Sequence, residues 1–375
     1  MNHRIESMKP SASMVLMARA KEMQKTDPTV IGLAGGEPDF PTPDRISMAA
    51  IRSLTEGYTH YVVGPGLPEL RQAIQKKLRE ENGLDYDVNC IMVTPGGKNA
   101  IYLAVQAILN EGDEVMVLDP AWVSYEPIIQ AAGGVTVKVK LDYQQDYRIT
   151  AEALEAVCTD KTRLIIINYP NNPTGRLLPL PLLEWILQGC AVWGARVFLD
   201  ECFLDLTEDG VSAKALLAAH PELLILKAFT KSYGMAGIRL GYCLCADSAL
   251  LHRMASASQP WNVSSLAQSA GVAALTEQDF LQRTRSLVHT ERRWLTDNLT
   301  ALGFWVCPSH ANYLLFRGPL GLRERLLQQG IAIRGCGNYN GLDDGWYRIA
   351  VRPHEENEAL ITAIRQFCKE KSLWL

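Results

Sequence analysis

The stretch at 228–242, AFTKSYGMAGIRLGY, decides how the rest of this chain is interpreted. It contains a single lysine, Lys231, after a β-rich run, and an arginine, Arg239, eight residues further on. A lysine amine forms an imine with an aldehyde, and the planar fork of an arginine pairs with two oxygens of a phosphate. Pyridoxal 5'-phosphate (PLP) carries both groups. The same spacing also fits a surface lysine in a glycine-rich loop. The other motifs are therefore needed to decide between a PLP site and a surface loop.

Length and composition limit the class of protein. A chain of 375 residues with 47% hydrophobic and 21% charged residues predicts a globular protein of two domains, or one large α/β domain with an appendage. The net charge of −4, without a basic block, argues against a nucleic-acid partner. The nine scattered cysteines form no CxxC pair, which predicts reduced thiols, no metal site and a cytoplasmic protein. No signal-peptide core or membrane span is predicted.

Seven short apolar runs predict the sheet, at 91–94, 114–118, 135–139, 164–168, 196–199, 223–227 and 240–244. Their apolar residues are continuous rather than alternating, as in strands that are covered on both faces. Helical or loop segments separate most of them. We therefore predict an α/β fold with a mainly parallel seven-stranded sheet between helices, and a second, smaller α/β domain. Helices are predicted at 13–25, 44–57, 66–80, 100–109, 264–302 and 321–330, and an irregular loop at 36–43.

In parallel sheets, ligands bind beyond the carboxyl ends of the strands. Five candidate residues lie at or after such strand ends: Gly97, Trp122, Asn172, Asp200 and Lys231. The glycine turn at Gly97 would direct backbone N–H groups and a helix N-terminus at an anion. Asp200 would supply the carboxylate that a PLP ring nitrogen needs, although it could instead cap the next helix. Trp122 would stack on the ring, and Asn172 would donate to the ring oxygen.

Two further candidates have weaker local signals. Gly36 leaves its backbone N–H open to a ligand, but it could equally be a simple turn glycine. Tyr61 lies in a loop and could be either a core anchor or a polar contact.

Taken together, the motifs resemble those of fold-type I PLP enzymes of the class I/II aminotransferase family over nearly the whole chain. The motifs are LAGGEPDFPTP (33–43), HYVVGPGLPELR (60–71), VTPGGKNAI (93–101), DPAWVSY (119–125), NYPNNPTG (168–175), FLDE (198–201) and FTKSYGMAGIRLGY (229–242). By this resemblance, Lys231 carries the imine and then shuttles the proton, while Asp200 pairs with the ring nitrogen. Asn172 would contact the ring hydroxyl, and Trp122 would cover the ring.

The resemblance also implies which residues hold the phosphate: the backbone of Gly97 and Lys98, Thr230 and Arg239. Tyr61 would join them from a neighbouring subunit. The implied assembly is therefore a homodimer with shared active sites.

For the substrate, the resemblance implies that Gly36 and Arg348 receive the α-carboxylate. Up to about residue 175 the chain is similar to the aspartate-aminotransferase branch, in which a lysine at the position of Lys98 can lie near an acidic side chain. The later part, including IAIRGCGNYNGLDDGWYRIAVRPHEEN (331–357), is similar to threonine-phosphate decarboxylases and histidinol-phosphate aminotransferases. In those relatives an arginine at the position of Arg334 can meet a substrate phosphate.

Two residues depart from the family pattern. Phe203 stands where most aminotransferases have a tyrosine that donates to the ring oxygen, and Ala228 stands where many have a phosphate-binding serine. Neither change removes an essential group.

We predict an aminotransferase that moves an amino group between an amino acid and a 2-oxo acid. The alternative is a PLP-dependent decarboxylase of a phosphorylated amino acid. A non-catalytic sensor is disfavoured because Lys231 is present. The predicted domains are a large PLP-binding domain at 45–280 and a small domain formed by 1–44 and 281–375.

Overall fold

The structure is a computed structural model that describes residues 12–36, 40–62 and 64–370, so the middle of the loop predicted at 36–43 lies outside the described residues. Its helices are α1 (Ala12–Thr26), α2 (Asp44–Thr55), α3 (Pro68–Asn82), α4 (Gly97–Ile108), α5 (Tyr125–Ala131), α6 (Ala151–Glu155), α7 (Leu180–Trp193), α8 (Phe229–Ser232), α9 (Ser248–Ser256), α10 (Ser265–Ala274), α11 (Gln278–Ala301), α12 (Leu322–Gln328) and α13 (His354–Glu370).

The strands are β1 (Ile31–Gly32), β2 (Ile91–Thr94), β3 (Glu114–Asp119), β4 (Val135–Lys140), β5 (Thr162–Asn168), β6 (Arg196–Asp200), β7 (Leu223–Ala228), β8 (Gly241–Cys245), β9 (Trp305–Val306), β10 (Tyr313–Arg317), β11 (Ile331–Ala332), β12 (Arg334–Gly335) and β13 (Trp346–Ala350).

The large sheet has seven strands in the order β2-β8-β7-β6-β5-β3-β4. Strands β3 to β7 are parallel, and β8 is antiparallel to both of its neighbours, β2 and β7. All seven predicted strands are present, so the predicted mainly parallel sheet is confirmed.

Strand β5 shows why the apolar runs are continuous. Ile165 and Ile167 pack into the core on one face of the sheet, whereas Leu164 and Ile166 pack into the core on the other face. Side chains alternate between faces along a strand, and here both faces are covered. The apolar run of β5 therefore contributes side chains to the hydrophobic cores on both faces of the sheet.

Two smaller sheets complete the fold. One is antiparallel with the order β12-β13-β10-β9, and the other pairs β1 with β11 in parallel. The large sheet is built from residues 91–245 and the four-stranded sheet from residues 305–350. The predicted domain boundary near residue 280 lies between these segments and stays a prediction.

The helix expected at 264–302 is two helices. Ser264 begins α10, its Oγ accepting a hydrogen bond from the Ala267 N–H at 3.2 Å. Residues 275–277 interrupt the helix, and Glu277 has non-helical backbone angles (φ −89°, ψ 54°). Helix α11 then runs on past Phe280, which still packs on the large core, to Leu295 and Leu299, which belong to the core of the small sheet.

Candidate active site

A cavity of about 280 Å³ lies at the carboxyl ends of β6 and β7. Ten of the predicted site residues line it: Gly36, Gly97, Lys98, Trp122, Asn172, Asp200, Thr230, Lys231, Arg239 and Arg348. Two others, Tyr61 and Arg334, are not among its lining residues. The structure thus brings together residues from distant parts of the sequence, and their individual roles stay predictions.

One end of the cavity is suited to an anion. Helix α4 begins after Gly96, which has a φ of 83° and provides no side-chain cap for the N–H groups of the first turn. A Cβ atom at Gly96 would lie 2.7 Å from Nη2 of Arg239, so glycine is required for the guanidinium to approach. A Cβ at Gly97 would lie 3.1 Å from Sγ of Cys202. An uncapped helix N-terminus beside an arginine is a favourable site for phosphate.

Asp200 ends strand β6 and is only 5% exposed. Its Oδ2 accepts a hydrogen bond from the Tyr125 hydroxyl at 2.9 Å, and its Oδ1 accepts one from the Cys202 backbone N–H at 3.0 Å. Burial raises the pKa of the Asp200 carboxyl, while these hydrogen bonds act in the opposite direction. A carboxylate held in this way is stabilised by a cationic partner such as a protonated ring nitrogen.

Lys231 lies in the single turn α8, directly after β7. Its Nζ lies 5.7 Å from the ring centroid of Phe203, and that ring packs edge-on against Tyr313 with centroids 5.1 Å apart. A Cβ at Gly36 would lie 3.3 Å from Cε1 of Phe203. Phe203 therefore lies between the lysine and the Gly36 backbone and lines the cavity where the family tyrosine is expected.

Arg348, on β13, forms the opposite side of the cavity. Its Nη1 donates to Oδ1 of Asn172 at 2.6 Å, and its Nη2 donates to the Ala34 carbonyl at 2.8 Å. The side chain is almost fully buried, and its Nε has no acceptor among the described residues. Since Oδ1 of Asn172 faces the arginine, the amide NH2 of Asn172 is left as its donor. That Asn172 donates to a ring oxygen stays a prediction.

Arg334 lies opposite Arg348 in the register of β12 and β13 but is held away from the cavity. Its Nη1 donates to the Gly335 carbonyl and its Nη2 to Oδ1 of Asn338, both at 2.6 Å. Its guanidinium lies 5.5 Å from the ring centroid of Tyr339. Among the described residues, Tyr339 connects Arg334 to the site, because its hydroxyl lies 3.4 Å from Oδ1 of Asn172.

Tyr61 lies on the surface of the protomer. It is 78% exposed, and its ring stacks on Trp261 with centroids 4.4 Å apart. Exposed apolar side chains of α2, namely Met48, Ile51 and Leu54, add to the apolar surface of this chain.

Several cavity residues were not identified from the sequence, including Met17, Ile101, Asn168, Cys202 and Leu226. Asn168 had a recognisable signal, because it is the polar residue that ends the apolar run LIIIN. Its Oδ1 accepts from the Asn172 N–H at 2.7 Å, and its Nδ2 donates to the Asp200 carbonyl at 3.2 Å. Asn168 thus links the loop that carries Asn172 to the strand that carries Asp200.

Comparison with known proteins identifies the class. Residues 28–364 match the family model "Aminotransferase class I and II". The chain is 34% identical to the aspartate/prephenate aminotransferase of Thermus thermophilus, covering 98% of both chains. It is 36% identical to the aspartate aminotransferase of Bacillus sp. (strain YM-2), covering 84% of this chain and 82% of the relative.

Solved structures agree. The aspartate aminotransferase from Thermus thermophilus with maleate superposes with a TM-score of 0.88 at 32% identity, over 98% of this chain and 99% of that one. The chain belongs to the class I and II aminotransferases. It is an enzyme that transfers an amino group, and the comparisons do not favour the decarboxylase alternative.

Proposed function

We propose that this aminotransferase binds PLP through Lys231 and uses an acidic amino acid as its amino donor. The observation that carries the proposal is that Lys231, Asp200 and Arg348 line one cavity, whose far end is formed by an uncapped helix N-terminus and Arg239. These groups match the aldehyde, ring nitrogen and phosphate of PLP and the carboxylate of a substrate.

Each of these residues would have its own role in the amino-group transfer. When bound, PLP supplies an electron sink for the bonds at the α-carbon of an amino acid. Nζ of Lys231 anchors the cofactor and then carries the proton that leaves the α-carbon. The Asp200 carboxylate keeps the ring nitrogen protonated, aided by the Tyr125 hydroxyl that fixes its orientation. Arg348 orients the substrate by pairing with its α-carboxylate.

The acidic donor is supported by Lys98 and by the relatives. Nζ of Lys98 lies 5.6 Å from the ring centroid of Trp122, and both residues line the cavity. A second cation besides Arg348 suits a substrate with two carboxylates. The relatives are named for aspartate, and the solved structure from Thermus thermophilus holds maleate, a dicarboxylate.

A homodimer is part of the same proposal. The exposed pair formed by Tyr61 and Trp261, with the exposed apolar side chains of α2, is the kind of surface that a second copy covers. Tyr61 would then reach the neighbour's phosphate site.

We also infer a cytoplasmic location from the nine cysteines, which are all free of disulfides. Among the described residues, no helix is long and apolar enough to cross a membrane.

Two experiments test the cofactor and the reaction. Borohydride reduction of the PLP-loaded enzyme, followed by peptide mapping, should place the label on Lys231, and a label on another lysine contradicts the assignment. In a single turnover, aspartate should yield pyridoxamine phosphate and a 2-oxo acid. Stoichiometric carbon dioxide with PLP regenerated would support decarboxylation instead.

The substrate class has its own test. Lys98→Met should lower kcat/KM for aspartate by about tenfold or more while changing kcat/KM for an uncharged amino acid far less. Lys76→Met, a change of an exposed lysine on α3, is the matched control. Equal losses for both substrates would remove Lys98 from the recognition of an acidic side chain.

The shared site is tested by mixing subunits. Tyr61→Phe should weaken PLP retention. When the Tyr61→Phe protein exchanges subunits with inactive Lys231→Ala protein, each hybrid dimer has one site with both changes and one with neither. Activity should therefore return in part, and no return despite proven exchange contradicts a shared site.

A further inference from the structure

A cluster of buried charges lies on the opposite face of the large sheet from the cavity. It is centred on Lys227, whose side chain is only 2% exposed. The neighbouring residues of β7, Leu226 and Ala228, both line the cavity. Because side chains alternate along a strand, Lys227 between them faces away from the cavity.

Lys227 contacts two acids that follow strand β6. Its Nζ lies 2.6 Å from Oδ1 of Asp205 and 3.4 Å from Oε2 of Glu201. Glu201 is fully buried and directly follows Asp200 in the sequence. Its carboxylate also accepts hydrogen bonds from the Ser212 hydroxyl at 2.7 Å and the Ala213 N–H at 2.9 Å. One end of the cluster is thus Glu201, the residue that follows Asp200.

The other end is attached next to Lys231. Oδ2 of Asp205 accepts a hydrogen bond from the Ser232 hydroxyl at 3.0 Å, and Ser232 is buried in the same helical turn as Lys231. A continuous set of polar contacts therefore joins the neighbour of Asp200 to the neighbour of Lys231 through Lys227 and Asp205.

Lys227 and Asp205 keep their charges at neutral pH. Burial lowers the pKa of Lys227, but Asp205 and Glu201 raise it more, so the net shift is upward. Burial likewise raises the pKa of Asp205, but Lys227 and two other lysines lower it more, so its net shift is downward. Nearby Lys214 has its pKa lowered to about 8, by burial first and then by repulsion from Lys227. Removing one partner from such a pair is costly because it leaves an uncompensated charge in a largely buried site.

We propose that Lys227 is a positioning residue, which fixes the Asp200 carboxylate relative to the Lys231 amine from the opposite face of the sheet. A bound cofactor has to meet both groups at once, so a shift of one against the other misplaces the reacting atoms. The inference rests on the proposed function, because it concerns the two groups that would hold PLP.

The test compares Lys227→Met with Lys214→Met. Lys214 is a matched control because it is a buried lysine beside the cluster. Its Nζ donates to Oδ1 of Asn82 at 3.1 Å, so it is not part of the set of contacts that joins Glu201 to Ser232. Three quantities are measured for each variant: the thermal midpoint, the rate at which PLP added to the apoenzyme becomes attached to Lys231, and kcat and KM for the amino donor. Lys227→Arg is the conservative variant, since it keeps the charge.

Lys227→Met should lower the attachment rate and kcat by about 10- to 100-fold with KM within about twofold. Lys227→Arg should recover most of both losses. Lys214→Met should lower the thermal midpoint while keeping the attachment rate and kcat within about threefold of the wild type. Equal losses of rate in the Lys227→Met and Lys214→Met proteins would overturn the proposal.

Ser232→Ala provides a test that does not depend on removing a buried charge. Alone it should lower kcat by about threefold to tenfold, and in the Lys227→Met background it should lower kcat no further. If Lys227→Met does not fold, an unchanged kcat and attachment rate in Ser232→Ala overturn the proposal. A wild-type protein that takes up no PLP or transaminates no amino acid contradicts the proposed function instead, which separates the two failures.

Discussion

The two sides of the cavity are built in different ways. The seven-stranded sheet contributes its groups from strand ends, such as Asp200 and Lys231, whose backbone positions are fixed by the ladder of β5, β6 and β7. The four-stranded sheet contributes Arg348, a long side chain held in place by two hydrogen bonds. In the proposed function, the groups for the cofactor thus come from a rigid edge, and the group for the substrate comes from a side chain that is oriented by its contacts. The proposed cofactor site therefore depends on the packing of the large sheet, whereas the proposed α-carboxylate site depends on the contacts of one side chain.

The largest effect is expected on the cofactor side. Asp200→Asn should lower kcat by about a thousandfold or more, because an amide cannot keep the ring nitrogen protonated. Steady-state kinetics with saturating PLP would measure the loss. Asp209→Asn, a change of an exposed acid, should have little effect on kcat.

The same residue gives a pH dependence. Because burial raises the pKa of Asp200, its carboxylate becomes protonated at a higher pH than an ordinary aspartate does as the pH falls. The protonated form cannot pair with a cationic ring nitrogen, so PLP affinity should fall with decreasing pH. Asp200→Asn should lack this loss, and an identical pH profile in both proteins contradicts the pairing.

On the substrate side, Arg348→Met should lower kcat/KM for every amino acid by about a hundredfold. PLP affinity should stay close to that of the wild type, since Arg348 would hold the substrate rather than the cofactor. Arg317→Met, on the neighbouring strand β10, is the control because Arg317 is half exposed. A comparable loss of PLP affinity in Arg348→Met would remove the distinction between the two sides.

Arg334→Met should have a smaller effect than Arg348→Met, about tenfold or less on kcat/KM. Although the two arginines are opposite each other in the sheet, the guanidinium of Arg334 donates to Gly335 and Asn338, and Tyr339 lies between it and Asn172. Parallel kinetics of the two variants would measure the ratio. Equal effects would show that Arg334 meets the substrate directly.

The smallest effect is expected at Phe203, which lies between the two sides. A tyrosine there would donate to the ring oxygen of PLP and stabilise its anion, lowering the pH midpoint of the cofactor absorption. We expect the midpoint of Phe203→Tyr to lie below that of the wild type by up to about one unit. The same midpoint in both proteins, or the opposite order, would mean that the side chain does not face the cofactor.

The sequence predicts the large sheet well because burial on both faces leaves a strong signal, as in LIIIN and VFLD. It predicts the two smaller sheets poorly, since β9, β11 and β12 have only two residues each and no period to detect. Similar limits apply to the cavity. Asn168 ends an apolar run and could have been found, whereas Tyr125 meets Asp200 across 75 residues of sequence. Contacts of that kind depend on the completed packing and leave no local pattern.

The order of the segments along the chain has a consequence for synthesis. The predicted cofactor contacts of one subunit, apart from the partner's tyrosine, lie between Gly97 and Arg239, and β8 follows at once to complete the large sheet. Arg348 leaves the ribosome much later, and it is then held by the carbonyl of Ala34, which comes before the large sheet in the sequence. Because domains generally fold as they emerge, a nascent chain should be able to take up the vitamin-derived cofactor before it can recognise any amino acid. A chain arrested before residue 305 should therefore bind PLP and turn over no substrate.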